Sequence, residues 1–387
     1  MKTPLLKLLS CLAAFGIASS AYSLTIVPTF DSSITSDPNA AQMEVSINTA
    51  IQVMESNVID NVTVNITFVN DGSVGLGQSQ TYGSDFNYSD YIAALKTAAT
   101  SANDRLALSK LPSGPNDPVI GYNQIHLTTA QARVLALDSS YTGTDSTISF
   151  NMSLMNLTRP PGDPYKYDLI STAEHEMDEV LGISSDLPTT SEVWPVDLFR
   201  YTTNRVRTFT TSGDNAYFSI DGTNLIARYN MDPSGDYGDW WSITGVWAPP
   251  GVTPHAQVQD AFASPGDYQD LGVSELTALD VVGWTLSSTT PTLTIVHSGA
   301  NQFTFSWPTT SSGFVLQERT NLVSGSWVFS STGSTNPAVI VSTAGQKFYR
   351  LYKPGTSSQS PAHNDSVLSA AHGPYVVTTR VLHPAIP

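Results

Sequence analysis

Ala173-Glu174-His175-Glu176-Met177-Asp178-Glu179-Val180-Leu181-Gly182 lies near the middle of the 387-residue chain and orders the reading of everything around it. With the residues before it, the stretch predicts a helix over 168–181. Leu169, Ile170, Met177, Val180 and Leu181 supply its apolar side, and Gly182 is the residue type that most often ends a helix. Upstream, strands are predicted over 24–30, 62–69 and 146–154; the second alternates cleanly through Val62, Val64, Ile66 and Phe68. Helices are predicted over 40–58 and 88–99, where apolar residues recur at helical spacing. Helices and strands in this order, with one modest sheet, predict an α+β or α/β core, of which α+β is the expected class. Downstream, 198–209 and 216–229 read as strands, 232–253 as a Trp/Gly/Pro-rich loop and 274–282 as a short helix. A linker is expected at 287–291. Residues 292–353 then carry closely spaced strand signals separated by turn residues, the pattern of a small all-β sandwich-like module. The Pro- and Ser-rich stretch 354–387, with His363, His372 and His383, is expected to be a flexible tail.

The central helix carries the chemistry. His175 and Glu179 are four residues apart and share one helical face, while Glu176 points to an adjacent flank. In an H-E-x-x-H arrangement, such a face presents two metal ligands, and the intervening Glu acts as general base on a water that the metal polarises. Here the motif is H-E-x-x-E. A carboxylate oxygen ligates zinc at about 2.0–2.2 Å, so His175 and Glu179 remain a ligand pair and Glu176 the candidate base. The competing explanation is an acidic amphipathic helix with a single histidine and no metal.

The stretch "EHEMDEVLGI" (174–183) resembles the active-site helix of metzincin proteases, with Gly182 where that helix turns away. "VDLFRY" (196–201), "AYFSIDG" (216–222), "GDYGDWW" (235–241), "VQDAF" (258–262) and "LTALDVVGW" (276–284) extend the likeness to a family of secreted bacterial metalloproteases distantly similar to matrixins and leishmanolysin. The resemblance spans about 24–286 and implies a metzincin-like catalytic domain, a zinc cofactor and a peptide or protein substrate. "FVLQERTNL" and "FYRL" in 292–353 resemble C-terminal β-modules of exported bacterial proteins. The family's third histidine falls at Ser185, a poor ligand. Three residues compete for its role: Asp239, which stands where relatives carry a His-Trp pair, then His255, then Asp186. The resemblance also suggests Met231 beneath the metal and the Tyr237 hydroxyl as an oxyanion donor; ordinary packing is the alternative for each.

Composition bounds the remainder. The chain has 33 acidic and 17 basic residues and a formal net charge of −16, with only 13 % of residues charged and 40 % hydrophobic. No Lys/Arg cluster exists to neutralise phosphates, which argues against nucleic acid. Lys2 and Lys7, an apolar run from Leu8 to Ile17 and small residues to Ser23 read as a secretory signal peptide over 1–23. That reading makes the mature chain a secreted protein, extracellular or periplasmic. The only cysteine, Cys11, lies inside the signal, so a mature chain beginning at Leu24 holds no disulfide. No later stretch is long enough to span a bilayer. Oligomeric state has no sequence signal.

Two functions from different classes follow. One is a zinc-dependent peptidase over 24–286; the other is a catalytically degenerate exported protein that binds through the same cleft or the β-module. A lesser reading makes the Asp-rich loops 232–236 and 266–267 calcium sites, with calcium as a structural ion. Trp240, Trp241 and Trp247 are candidates for a cleft lining or for core, Asp178 is a candidate neighbour of the ligands, and His126 and His297 have no partner legible in the sequence.

Overall fold

Residue patterns that alternate or recur along the chain become layers in the computed structural model. It describes residues 23–287 apart from 190 and 251–253, segments of 293–352, and 376–384. All but Ser23 of the expected signal peptide, with Cys11, therefore lies outside the described residues, as do 288–292 of the linker region and most of the tail. In chain order the elements are β1 (Thr25–Phe30), α1 (Ser32–Thr35), α2 (Ala40–Asn57), β2 (Thr63–Asn70), β3 (Gly77–Asn87), α3 (Tyr88–Ala98), α4 (Ala102–Lys110), β4 (Gln124–Thr128), α5 (Thr129–Val134) and β5 (Ser146–Phe150). Next come β6 (Met155–Asn156), β7 (Tyr167–Asp168), α6 (Leu169–Val180), β8 (Arg200–Tyr201), β9 (Tyr217–Phe218), β10 (Ala227–Arg228), β11 (Phe262–Ala263) and α7 (Val273–Val282). The chain continues through β12 (Thr294–Gly299), β13 (Gln302–Ser306), β14 (Val315–Arg319), β15 (Val328–Phe329), β16 (Ala338–Val341), β17 (Phe348–Tyr352) and β18 (Val376–Pro384). Helices and sheets together give the α+β character that the sequence predicts. Among the described residues, no helix is long and apolar enough to cross a membrane.

The main sheet runs β1-β2-β5-β3-β18-β11, with β4 also paired to β3. β1, β2 and β5 are parallel, and β3 turns antiparallel against β5. Alternation in β2 sends Val64, Ile66 and Phe68 into the core, where Phe68 stacks between Phe30 and Phe150 with centroids 5.7 and 6.1 Å away. Buried aromatics of this size each contribute about 1.5–3 kcal/mol through removal from water.

Helices α2 and α6 pack against each other, and α6 also lies against β3 and β18. The Asp168 carboxylate caps α6 by accepting the Ser171 N–H at 2.8 Å. The helix ends where Gly182 takes a φ of 108°, letting Gly182 and Ile183 donate back to the carbonyls of Glu179 and Asp178. A side chain at Gly182 would be strained and would collide with Gln131. Every residue of α6 is buried, including Glu174, Glu176, Asp178 and Glu179. An acidic helix is thus placed in the interior, which is costly without compensation.

Several regions differ from the sequence reading: α4, β4 and α5 are absent from it, and the strand expected over 146–154 ends at Phe150. β3, absent from that reading, is polar (GQSQTYGSDFN), yet its buried positions include Gly77, Ser79, Thr81 and Gly83. Small residues there let the sheet lie close to α6. The long strands expected at 198–209 and 216–229 shrink to β8, β9 and β10 of two residues each. A turn at Thr202–Arg205 and side-chain bonds from Arg207 to the Leu198 and Lys110 carbonyls take the place of a continuous ladder. Finally, 376–384 of the expected flexible tail forms β18 within the main sheet. Its run of β-branched residues, Val376-Val377-Thr378-Thr379, is the strand signal. The 292–353 region forms two three-stranded sheets, β12-β13-β16 and β15-β14-β17. They share a small core of Phe305, Trp307, Leu316 and Ala338, separate from the main one.

Candidate metal centre

Two segments deliver one candidate ligand set. α6 supplies His175 and Glu179 from the same face, and the loop before β11 holds Asp239 against them through Gln259. His175 Nε2 lies 3.8 Å from Glu179 Oε1 and 3.8 Å from Asp239 Oδ2. One ligand atom from each of the three residues falls within 4.8 Å of the others. Atoms around a tetrahedral zinc, with bonds of about 2.0–2.2 Å, sit roughly 3.3–3.6 Å apart. The two distances from His175 Nε2 are within a few tenths of an ångström of that spacing.

Each ligand is oriented by a second bond. His175 Nδ1 is 2.8 Å from the Val258 carbonyl, which can only accept, so Nδ1 carries the proton and Nε2 presents its lone pair. Nε2 makes no hydrogen bond. Ser79 on β3 donates to Glu179 Oε2 at 2.6 Å, and Gln259 donates to Asp239 Oδ1 at 2.9 Å. In both carboxylates the second oxygen is the one facing His175. Such outer bonds fix ring and carboxylate orientation in metal sites.

Electrostatics point the same way. Burial holds the His175 imidazole down to about 4, against the pull of the Val258 carbonyl, so the ring is neutral at ordinary pH. Burial pushes Glu179 well above the usual carboxylate range, and the negative groups Glu176, Asp239 and Asp236 add to it, opposed by the Ser79 bond. Two buried carboxylates beside a neutral imidazole carry a charge that a divalent cation cancels. Glu176 is also fully buried, on the flank of α6 facing β3. A Cβ at Gly77 would run into its Oε1, so β3 passes directly over the Glu176 carboxylate.

The remaining candidates lie elsewhere. His255 is exposed and Asp186 half-buried on the loop after α6, and neither joins the cluster. Met231 accepts a contact from Arg200 Nη2 at 3.2 Å, and the Tyr237 backbone carbonyl accepts from Arg200 Nη1. Trp240 is core: it packs on Phe218 and Tyr229 and donates its indole N–H to Glu275. Trp241 lies beneath the Arg228 guanidinium, and Trp247 packs on Tyr217. Asp178 is buried and makes no side-chain hydrogen bond; burial and the nearby Glu275 raise its pKa well above normal. The Asp232 carboxylate accepts the Ser234 N–H, and among the described residues the loops 232–236 and 266–267 gather no third ligand.

Sequence reasoning missed Ser79, Val258 and Gln259, which hold the ligands. It also missed that His126 has partners, Asp85 at 2.9 Å and Glu192 at 3.8 Å. Asp85 sits in β3 opposite His126 in β4, a pairing visible only once that register is known. His297 lies in β12. No family model, curated protein or solved structure matches this chain.

Proposed function

We propose that the chain is a secreted zinc-dependent peptidase, with His175, Glu179 and Asp239 as metal ligands and Glu176 as general base. The observation that carries this reading is the convergence of an unbonded His175 Nε2 with two carboxylate oxygens, on the helix that also bears Glu176. Zinc bound there would supply Lewis acidity and bring the pKa of a bound water to about 7. One nitrogen and two oxygen donors are a set that zinc accepts. Glu176 takes the proton of the attacking water and returns it to the leaving amine. Its carboxylate lies on the same helix as His175 and Glu179, buried beneath β3 at Gly77. Val258, Ser79 and Gln259 keep the three ligands in register.

Glu176→Gln tests the reading. The variant is expected to keep the fold and bind zinc while hydrolysis of an unfolded protein substrate falls by a factor on the order of 10²–10⁴. Equal activity in both forms removes Glu176 from the role. A second reading has an observation of its own: all three ligands and Glu176 are at most 2 % exposed. Closed sites are the mark of structural metals. Stoichiometric zinc with no hydrolysis of any unfolded substrate, after the centre has been uncovered, supports a metal-stapled binding protein instead.

A further inference from the structure

The strand that lies between the two segments flanking the metal centre is β18, residues 376–384. β18 pairs antiparallel with β3 over seven residues, from Val376↔Gly83 to Leu382↔Gly77. On its other side it runs parallel to β11 through His383↔Phe262 and Pro384↔Ala263. It also lies against α6. Every neighbour of this segment is tied to the centre. In β3, Gly77 passes over Glu176 and Ser79 bonds Glu179. The chain entering β11 carries Val258, which bonds His175, and Gln259, which bonds Asp239. The space between β3 and β11 is one strand wide, and residues 376–384 fill it.

We propose that this space is a peptide-accepting groove and that residues 376–384 occupy it as a built-in stand-in for an extended polypeptide. Ligands of this class bind by main-chain hydrogen bonds to an open strand edge, with modest dependence on side chains. β3 offers such an edge along 77–83 whenever β18 leaves. The segment stays joined to β17 by residues 353–375, whose sequence is rich in Pro and Ser. A tethered strand acts at an effective concentration on the order of millimolar, so it excludes free peptides without needing high intrinsic affinity. The inference rests on the peptidase reading only in taking the incoming peptide to be a substrate; strand exchange itself does not require catalysis.

The test uses the full chain and a fluorescent synthetic peptide with the sequence of residues 376–384. Thr379→Pro combined with Arg380→Pro removes two successive amide protons, one of which faces β3, because neighbouring N–H groups point to opposite sides of a strand. The double variant is expected to bind the peptide at least about tenfold more tightly than the wild type, as the tethered competitor is lost. Amides of 77–83 should exchange faster in the variant and regain protection when peptide is added. A folded variant with unchanged peptide affinity and unchanged exchange at 77–83 overturns the proposal. Should the prolines prevent folding, a specific protease site placed within 356–370 serves instead: after cutting, the labelled peptide should displace the nicked segment, and failure to enter overturns the proposal. Hydrolysis of an unfolded substrate is measured in parallel. Peptide exchange without hydrolysis leaves the groove standing and removes the peptidase reading. Zinc-dependent hydrolysis that is equal in both chains, without peptide exchange, removes the groove alone.

Discussion

Two clusters in this molecule contain one histidine, one aspartate and one glutamate, and they are built differently. In the first, His175 Nδ1 is satisfied by a backbone carbonyl, and Nε2 faces Glu179 and Asp239 at 3.8 Å without a hydrogen bond to either. In the second, His126 Nδ1 itself faces the acids and is in hydrogen-bond contact with Asp85 at 2.9 Å. Its Nε2 is sealed against Gly83, and the ring packs at a tilt against Trp194. The acids differ as well. Those around His175 are buried and held by Ser79 and Gln259, whereas the side chains of Asp85 and Glu192 are 40 % and 34 % exposed. The comparison teaches that residue types alone do not make a chelate. What matters is which nitrogen is left over, and whether the carboxylates have been desolvated and locked before the ion arrives.

The largest expected contrast is in metal content. His175→Ala should abolish stoichiometric zinc binding at micromolar protein, since it removes the only nitrogen donor of the set. His126→Ala should leave zinc content unchanged; the reverse outcome in elemental analysis would exchange the roles of the two clusters. The supporting bonds come next. Ser79→Ala or Gln259→Ala should weaken zinc affinity about 10–100-fold, the usual cost of losing an outer-shell partner, measured by competition with a chelator. Glu192→Gln, in the exposed cluster, should not move that affinity. The smallest effect concerns a buried carboxylate for which no cation compensates. Burial pushes Asp280 up to about 7, with Asp104 adding to the shift and a Ser101 hydroxyl opposing it. Its folded-state pKa lies above its unfolded value, so the folded protein holds a proton that the unfolded chain has released. Stability should therefore fall as pH rises from about 4 to about 7 and level off above that. Asp280→Asn should flatten this slope and stabilise the protein at pH 8 by roughly 1–3 kcal/mol, read from denaturant midpoints. An unchanged slope would mean that Asp280 does not titrate differently in the folded and unfolded chain.

Much of the front region was legible because it follows local rules. α2, β2 and α6 lie within a residue or two of their predicted bounds, since hydrophobic period and a terminal glycine decide them. The pairing of His175 with Glu179 followed from helical spacing alone. Asp239 entered through a likeness of motif, and the structure brings it to the same point. What was illegible is long-range. β3 hides its strand character because α6 and its sheet neighbours, not its own side chains, supply the burial that stabilises it. Ser79 and Gln259 are ordinary polar residues whose work depends on positions 100 and 20 residues away. β18 was read as part of a flexible tail, because nothing local in 376–384 says which sheet edge it joins.

That last pairing has a consequence for how the molecule is made. Gly77 and Leu382 stand opposite each other across almost the whole length of the chain. Closing so long a loop is entropically slow, and contacts of this separation delay folding more than they affect final stability. A chain emerging with its N-terminus first presents β3 and α6 long before the strand that joins their edge has been synthesised. During that interval the acidic helix has no cover on that side, and the 77–83 edge is open to any extended segment nearby. The centre is thus most accessible at birth, and residues 376–384 decide when that window shuts.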